Sequence, residues 1–303
     1  MDMTGARKTG VPILLIGLLA AFILWSMPAD TEAAGKGEIP PDPVNLILKM
    51  PRHFEPVQDY TTLLLKREDM GGTFARETTF MKFRRPFDVY MKWTEAPHKG
   101  RELLFRKGVN DDKLLVHEGG FLGLVNVSLD PLGSMAMKDN HHPVSDVGIG
   151  SLTEQVVEGL KRGLERGDVT VTYGGTVGLE EREAHVCKVQ FPEKREGFVV
   201  IAGKGDTLWD IAAMTGRDMR VILLSNDGID DSGDIREGQE VFVPFHYCRR
   251  YVIYIDIQWG IPLRIDIYDW ENRLYESYYY SRLCINTGLG DVDFDPDNEE
   301  YDF

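Results

Sequence analysis

The sequence is poor in the residues on which most catalytic and metal sites depend. It holds three cysteines and seven histidines, and neither set shows the spacing of a zinc site. A catalytic thiol needs an activating histidine and usually lies at a helix start, whereas Cys187, Cys248 and Cys284 all fall in predicted strands. His141 and His142 are adjacent, and His142-Pro143 is typical of a turn. With no glycine-rich phosphate loop either, we predict no catalytic residues, no metal and no cofactor.

Positive charge is also scarce. The chain has 34 lysines and arginines against 49 aspartates and glutamates, a net charge of -15 over 303 residues. Such a balance argues against nucleic acid and against direct adhesion to anionic membranes. The length allows one substantial core and a small additional module.

Long apolar runs are absent except at the start of the chain. Residues 1–34 have the pattern of an export signal: Arg7 and Lys8, then an apolar run over residues 11–27, then small residues. The first cysteine is Cys187, which excludes a lipidated lipoprotein. We expect a location in the periplasm or cell envelope, with the signal either cleaved or kept as an inner-membrane anchor, since the run is near the lower limit for spanning a bilayer.

Residues 200–244 carry the most specific pattern. A short apolar strand meets a glycine turn at residues 203–205, and Asp206 and Thr207 can cap the helix that follows. That helix stops at Gly216, a second helix runs over residues 219–224, and an alternating strand closes at Pro244. The pattern predicts a β-α-α-β module.

This stretch resembles the LysM family through G-D-T-L-W-x-I-A at residues 205–212, L-x-N at 224–226 and I-x-x-G-Q-x-x-x-x-P at 235–244. The resemblance implies binding of N-acetylglucosamine polymers, which in a bacterium means peptidoglycan glycan strands. The implied groove lies between the first loop and the loop after the second helix, with the residues Gly205, Asp206, Thr207, Leu208, Asn226 and Ile229. Alternatively, the polar members of this set only cap helices and shape turns.

Alternating segments on both sides of the module predict an antiparallel sheet. Six short strand candidates lie between residues 60 and 129, and five more between 169 and 285. One helix, 151–166, interrupts them, and Ser151 and Glu154 have capping-box spacing at its start. If the strands at 184–191 and 249–258 are neighbours, the module is inserted in the turn between them.

The host sequence resembles a bacterial family known only as a domain of unknown function. The resemblance covers most of residues 42–197 and 248–303 and rests on these runs: Lys82 to Phe87, Gly100-Arg101-Glu102, Lys113 to His117, Leu129-Asp130-Pro131, His142-Pro143, Gly148-Ile149-Gly150, Tyr254-Ile255-Asp256 and Ile261-Pro262. That family is similar in fold to the LolA/LolB lipoprotein carriers. The resemblance implies an α+β fold, a curved antiparallel half-barrel sheet with covering helices over an apolar cavity.

The predicted organisation is therefore a signal peptide (1–34), a linker (35–41), a discontinuous LolA-like domain (42–197 and 248–303) and an inserted LysM domain (198–247). The apolar strand faces predicted to line the cavity are Phe87, Val89, Met91, Trp93, Leu103, Phe105, Leu114 and Val116. These side chains suit an acyl chain if the cavity is open. They fill an ordinary core if it is not.

Two further features leave alternatives open. Cys187 and Cys248 flank the module and can form a disulfide in an oxidising compartment, or remain free as buried thiols. The acidic residues between 291 and 302 lack the glycine and distal glutamate of a calcium loop, so we predict a solvated tail.

Together these patterns predict an exported, non-enzymatic binding protein of the cell envelope. Its expected partners are peptidoglycan glycan strands and a lipid or lipoprotein acyl chain, with no nucleic acid. The alternatives are a cell-wall hydrolase or other peptidoglycan-modifying enzyme, and a non-catalytic envelope scaffold.

Overall fold

The computed structural model describes residues 40–119 and 125–303, so the predicted signal peptide lies outside the described residues. The helices are α1 (Pro43–Phe54), α2 (Ser134–Met137), α3 (Ile149–Arg166), α4 (Leu208–Thr215) and α5 (Met219–Leu223). The strands are β1 (Asp59–Asp69), β2 (Phe74–Arg84), β3 (Asp88–Trp93), β4 (Glu102–Arg106), β5 (Leu114–His117), β6 (Asn126–Leu129), β7 (Thr170–Leu179), β8 (Arg182–Gln190), β9 (Gly197–Ile201), β10 (Glu240–Pro244), β11 (Arg250–Asp256), β12 (Pro262–Tyr268) and β13 (Leu274–Ile285). Among these residues no helix is both long and apolar enough to cross a membrane.

Eleven of the strands form one open antiparallel sheet in the order β6-β5-β4-β3-β2-β1-β13-β12-β11-β8-β7. Leu114 on β5 and Ile267 on β12 lie six strand positions apart, about 29 Å in a flat sheet. Both nevertheless line a single cavity of about 630 Å³. The sheet is therefore strongly curved, and its concave face is covered by α3, as expected for an α+β half-barrel.

The module is inserted where the alternating patterns predicted it. Strands β8 and β11 are paired neighbours, with Gln190 opposite Arg250, while β9 and β10 form their own two-stranded sheet. Leu208, Ile211 and Ile222 are fully buried in a separate small core. The position of the insertion follows from this pairing, and the domain boundaries 198 and 247 stay a prediction.

Helix α3 begins two residues earlier than its sequence pattern indicates. The predicted capping box at Ser151 is wrong, because the N-cap residue is Gly148, with a φ of 104°. A hydroxyl distant in sequence takes the place of the cap: the backbone N–H of Ile149 donates to the Tyr60 hydroxyl at 3.0 Å. A Cβ at position 148 would lie 2.7 Å from that oxygen. Glycine is therefore required for Tyr60 to reach the start of the helix.

The acidic C-terminus packs on the convex face of the sheet, so the predicted solvated tail is wrong. Phe294 is fully buried beside Tyr90 and Leu104, and the ring of Tyr301 stacks on that of Tyr90 at 3.9 Å. Acids on either side of these aromatics pair with strand cations: Asp293 with Lys82 at 2.8 Å, and Asp302 with Lys92 at 3.3 Å. Burial of the aromatic rings and the ion pairs together hold the tail in place.

Candidate functional site: a cavity between the sheet, helix α3 and the inserted module

The cavity lies between the concave face of the sheet, α3 and the inserted module, and its volume is about 630 Å³. This lies within the range of small-molecule pockets in proteins. Side chains two positions apart on each strand point into it, as Met91 and Trp93 do on β3. Much of the wall is apolar: Leu64, Met91, Trp93, Leu103, Leu114, Val144, Val147, Leu152, Val156, Phe191, Tyr251, Ile265 and Ile267.

The structure divides the eight predicted cavity residues into two groups. Met91, Trp93, Leu103 and Leu114 line the cavity. Phe87, Val89, Phe105 and Val116 do not; they belong to the packed core beside it. The ring of Phe87 meets the rings of Phe83 and Phe105 edge to face, at 5.6 and 5.8 Å. These aromatic contacts fill one end of the half-barrel, so the expectation of a cavity wall is wrong for that end.

A buried polar network lies at the centre of the cavity wall. Glu276 on β13 is fully buried, and its Oε1 accepts hydrogen bonds from His141 Nδ1 at 2.7 Å and from the Tyr247 hydroxyl. Its Oε2 lies 3.4 Å from His142 Nε2. The other nitrogen of His142, Nδ1, lies 3.3 Å from Oδ2 of Asp218, which belongs to the module. His142 thus connects a carboxylate of the sheet to a carboxylate of the module.

Electrostatics fix the charges in this network. Burial acts to lower the pKa of His142, but the charges of Glu276 and Asp218 outweigh it, and the pKa lies well above its usual range. Burial acts to raise the pKa of Glu276, and the His142 charge with hydrogen bonds from both histidines holds it below its usual range instead. The pair is therefore ionised at neutral pH. A carboxylate with so low a pKa is a poor general acid or base.

A second polar pair continues the network. Glu68 accepts from the Tyr278 hydroxyl at 2.6 Å and forms an ion pair with Lys66 at 3.3 Å. Lys66 also contacts Glu77 at 3.2 Å. Glu68, Glu77 and Glu276 are thus each matched by a cation, a histidine or a hydroxyl. Together with the contact between His142 and Asp218, these bonds connect the strands to the loop before α3 and to the module.

Sequence reasoning interpreted His142-Pro143 as a turn and did not find this network. The one signal was the adjacency of two histidines ahead of α3, and their partners lie far away in the chain. In the part of the chain that the structure describes, no group of three or more histidine, cysteine or carboxylate side chains is placed to hold a metal ion.

The predicted glycan residues lie in two adjacent loops of the module. The backbone N–H of Leu208 donates to the Ser232 carbonyl at 2.8 Å, which joins the loops. Thr207 caps α4 and shares a reciprocal capping box with Asp210, Asp206 Oδ2 accepts from the Gly203 N–H at 2.7 Å, and Gly205 adopts a φ of 81°.

Two side chains of that set are buried and a third is fully bonded. Leu208 and Ile229 belong to the core of the module, so the prediction that their side chains face a glycan is wrong. Asn226 donates to the carbonyls of Ile222 and Phe242 and accepts from the Phe242 N–H, all within 2.8 Å. The surface left for a ligand in these loops consists of Gly205, Asp206, Thr207 and backbone groups, and glycan binding there stays a prediction.

All three thiols are free. Cys187 and Cys248 are buried in one apolar cluster, and burial raises the pKa of Cys187 to about 12. The disulfide that their positions allowed is not formed, and a thiol with so high a pKa is a poor nucleophile.

Comparison with known families gives two matches, one for the chain that forms the large sheet and one for the inserted module. The model of the family described as "Protein of unknown function (DUF1571)" matches residues 57–204 and 238–303, well over half of the chain. The chain belongs to the DUF1571 family. The LysM domain model matches residues 202–244, across the interruption in the DUF1571 match. No curated protein matches the sequence.

Solved structures similar to this DUF1571 chain include a DUF1329 family protein, a LolA superfamily protein and a lipoprotein. A DUF1329 family protein from Desulfovibrio piger has 12% identity and a TM-score of 0.34, covering 84% of this chain and 95% of its own. A LolA superfamily protein from Nitrosomonas europaea has 10% identity and a TM-score of 0.33, with coverages of 83% and 96%. The lipoprotein LppX from Mycobacterium tuberculosis has 11% identity and a TM-score of 0.40, with coverages of 82% and 97%. Likeness at this level carries no information about a ligand.

Proposed function

We propose that this DUF1571 protein is an exported, non-catalytic binding protein of the cell envelope. In this proposal the LysM module attaches the protein to peptidoglycan glycan strands, and the cavity binds an apolar ligand such as a lipid or the acyl chain of a lipoprotein. The observation that carries the second part is the cavity itself, about 630 Å³ in volume and lined by apolar side chains of the sheet and α3.

The module is more than an attachment in this proposal, because it forms part of the cavity wall. Gly216, Asp218 and Val221 of the module line the cavity together with residues of the sheet. Asp218 caps α5 through Oδ1, which accepts from the Arg220 N–H at 2.8 Å, and faces His142 through Oδ2. Attachment to the glycan would therefore hold the cavity in a fixed position relative to the cell wall.

Gly159 provides a test of the cavity. It lies on α3, lines the cavity, and a Cβ added there would meet no atom within 4 Å. Gly159→Trp should therefore obstruct the cavity without straining the helix, whereas Gly159→Ala at the same position should not. With the full chain and a neutral fluorescent acyl ester as probe, we expect saturable binding to the parent and to Gly159→Ala, and loss of binding in Gly159→Trp. Equal binding by both variants would show that the probe does not occupy this cavity.

Glycan attachment is tested by sedimentation with purified sacculi. Asp206→Ala changes a partly exposed residue of the predicted groove, while Glu240→Ala changes an exposed position on β10 outside it. We expect Asp206→Ala to leave the pellet and Glu240→Ala to remain in it, with circular dichroism showing both folded. If Asp206→Ala sediments like the parent, the groove is misassigned.

A cell-wall hydrolase is the alternative function, and incubation with peptidoglycan tests it. Cys248 is the thiol in the cavity wall, and burial raises its pKa well above the usual range. Together with the low pKa of Glu276, this weighs against acid, base or thiol catalysis at the cavity. We expect no soluble muropeptides after incubation with peptidoglycan, and their release above the buffer level would replace the binding proposal with an enzymatic one.

A further inference from the structure

We infer that Arg162 and Arg217 bind the anionic headgroup of the cavity's ligand, which makes the ligand class an amphiphile with a carboxylate or phosphate. This inference rests on the proposed function and names its ligand more narrowly. Arg162 lies on α3 and Arg217 directly follows the C-cap of α4 in the module. Both line the same cavity.

Neither arginine has an anionic partner in the described residues. No carboxylate lies within 4 Å of either guanidinium, and the Nε atom of each is buried without a hydrogen-bond partner. Arg217 donates only to the carbonyls of Thr215 and Gly216, both at 3.3 Å. Their neighbour Arg166, in contrast, pairs with Asp168 at 2.8 Å.

The surroundings of the pair are unfavourable for positive charge. Burial lowers the pKa of both arginines, and the charges of Arg162 and Arg166 lower that of Arg217 further. The charges of Glu158 and Glu165 partly offset burial at Arg162. Glu158 already bonds Lys161 at 2.7 Å, and neither carboxylate lies within 4 Å of the Arg162 guanidinium. Partly buried guanidinium groups held near one another lose hydration and repel. A bound anion would relieve both costs, and guanidinium is suited to carboxylate and phosphate.

The apolar walls of the same cavity suit the rest of an amphiphile. Val156, Phe191 and Ile265 line it, and the ring of Phe191 lies 3.1 Å from a Cβ built at Gly163, the residue after Arg162. The hydroxyl of Tyr251, a residue only 5% exposed, also faces the cavity without a hydrogen-bond partner among the described residues. By contrast, Glu68 and Glu276 in the same cavity are ion-paired, and the carboxylate of Asp146 faces the charge of His142. The two guanidinium groups have no such anionic partner and share the cavity with apolar walls.

The test compares three ligands with one chain length and different heads: hexadecanoate, hexadecyl phosphate and hexadecanol. Each competes with the neutral fluorescent acyl ester for the full-length protein. We expect at least one of the two anions to bind about 10-fold more tightly than the alcohol, and the tighter anion identifies the source of the headgroup. Arg162→Gln and Arg217→Gln should each reduce this preference, and the double variant should remove it while leaving alcohol binding unchanged. Arg236→Gln, at an exposed position of the module outside the cavity, is the matched control.

Thermal unfolding without ligand gives an independent readout. Because the two charges repel and have no partner, Arg217→Gln should leave Tm unchanged or raise it, whereas loss of a structural role would lower Tm. Equal affinity for all three competitors would overturn the inference while the cavity proposal stands. The same holds if the arginine variants weaken the binding of hexadecanoate, hexadecyl phosphate and hexadecanol equally. Failure of the neutral ester and all three competitors to bind would instead overturn the proposed function.

Discussion

The Glu276 network gives the sharpest test of how the sheet, the α3 loop and the module are joined. Glu276→Gln keeps the shape of the side chain but removes the charge that faces His142. Glu276 is fully buried, so water cannot replace the lost partner. Breaking a buried ion pair by removing one member costs about 3 to 5 kcal/mol. The introduced amide keeps one acceptor, so we expect the lower end, a loss of about 3 kcal/mol in the free energy of unfolding.

The pH dependence of this effect has a defined sign. The pKa of His142 is raised in the folded protein from 6.5, so its stabilisation is fully present below about pH 6.5 and is lost as pH rises through the folded value. Above pH 6.5 the folded state binds one more proton than the unfolded state, which corresponds to a slope of about -1.4 kcal/mol per pH unit from this group. The lowered pKa of Glu276 acts in the other direction, with stability lost as pH falls below about 4.5.

Urea denaturation between pH 6 and pH 9 measures both the loss of unfolding free energy in Glu276→Gln and the pH slope from His142. We expect the difference between parent and Glu276→Gln to be fully present from pH 6 to about pH 6.5 and to shrink at higher pH. Glu271→Gln is the control, because Glu271 is exposed on a hairpin and its loss should change stability by less than about 0.5 kcal/mol. A Glu276→Gln curve that overlays the control at every pH would refute the assignment of His142 and Glu276 as a buried ion pair.

Three other perturbations follow from the packing. Tyr301→Ala removes the ring stacked on Tyr90, so the C-terminal segment should become cleavable in limited proteolysis, whereas Asp297→Ala on the same segment should not change the cleavage pattern. Asn226→Ala leaves backbone groups at the base of β10 without their partners and should cost the module about 2 to 3 kcal/mol, measured by urea denaturation against Asp227→Ala. Of the three thiols, the exposed Cys284 should react at once with a thiol reagent, and the two buried ones only after denaturant is added; immediate reaction of all three would contradict their burial.

Local chemistry made several elements predictable. Thr207 and Asp218 cap their helices and Gly216 ends α4 in the left-handed conformation, as these residue types favour. Most of the alternating strands were predicted within a few residues of their observed bounds because one face of each is apolar. The exception is β7, which runs to Leu179, six residues beyond its predicted end at 173. The same patterns made the insertion depend on whether β8 and β11 are neighbours, and the structure shows that they are.

Contacts between distant parts of the chain could not be predicted in this way. The start of α3 depends on a Tyr60 hydroxyl 89 positions away, and the acidic tail is held by Tyr90 and Lys82 on distant strands. Alternation indicated which strand faces are apolar, but it could not show that Phe87 and Phe105 fill a core while Met91 and Leu103 border open space. That difference depends on how far the curved sheet closes on α3.

The sequence by itself determined most of the strand pattern, the caps of α4 and α5 and the LysM module, because each depends on neighbours within one turn or one hairpin. Only the tertiary structure decided that the module forms a wall of the cavity, that His142 joins Glu276 to Asp218, and that Arg162 and Arg217 have no carboxylate within 4 Å. These arrangements bring together charged side chains from different helices and strands. Burial of those side chains then decides how strongly the charges attract or repel one another.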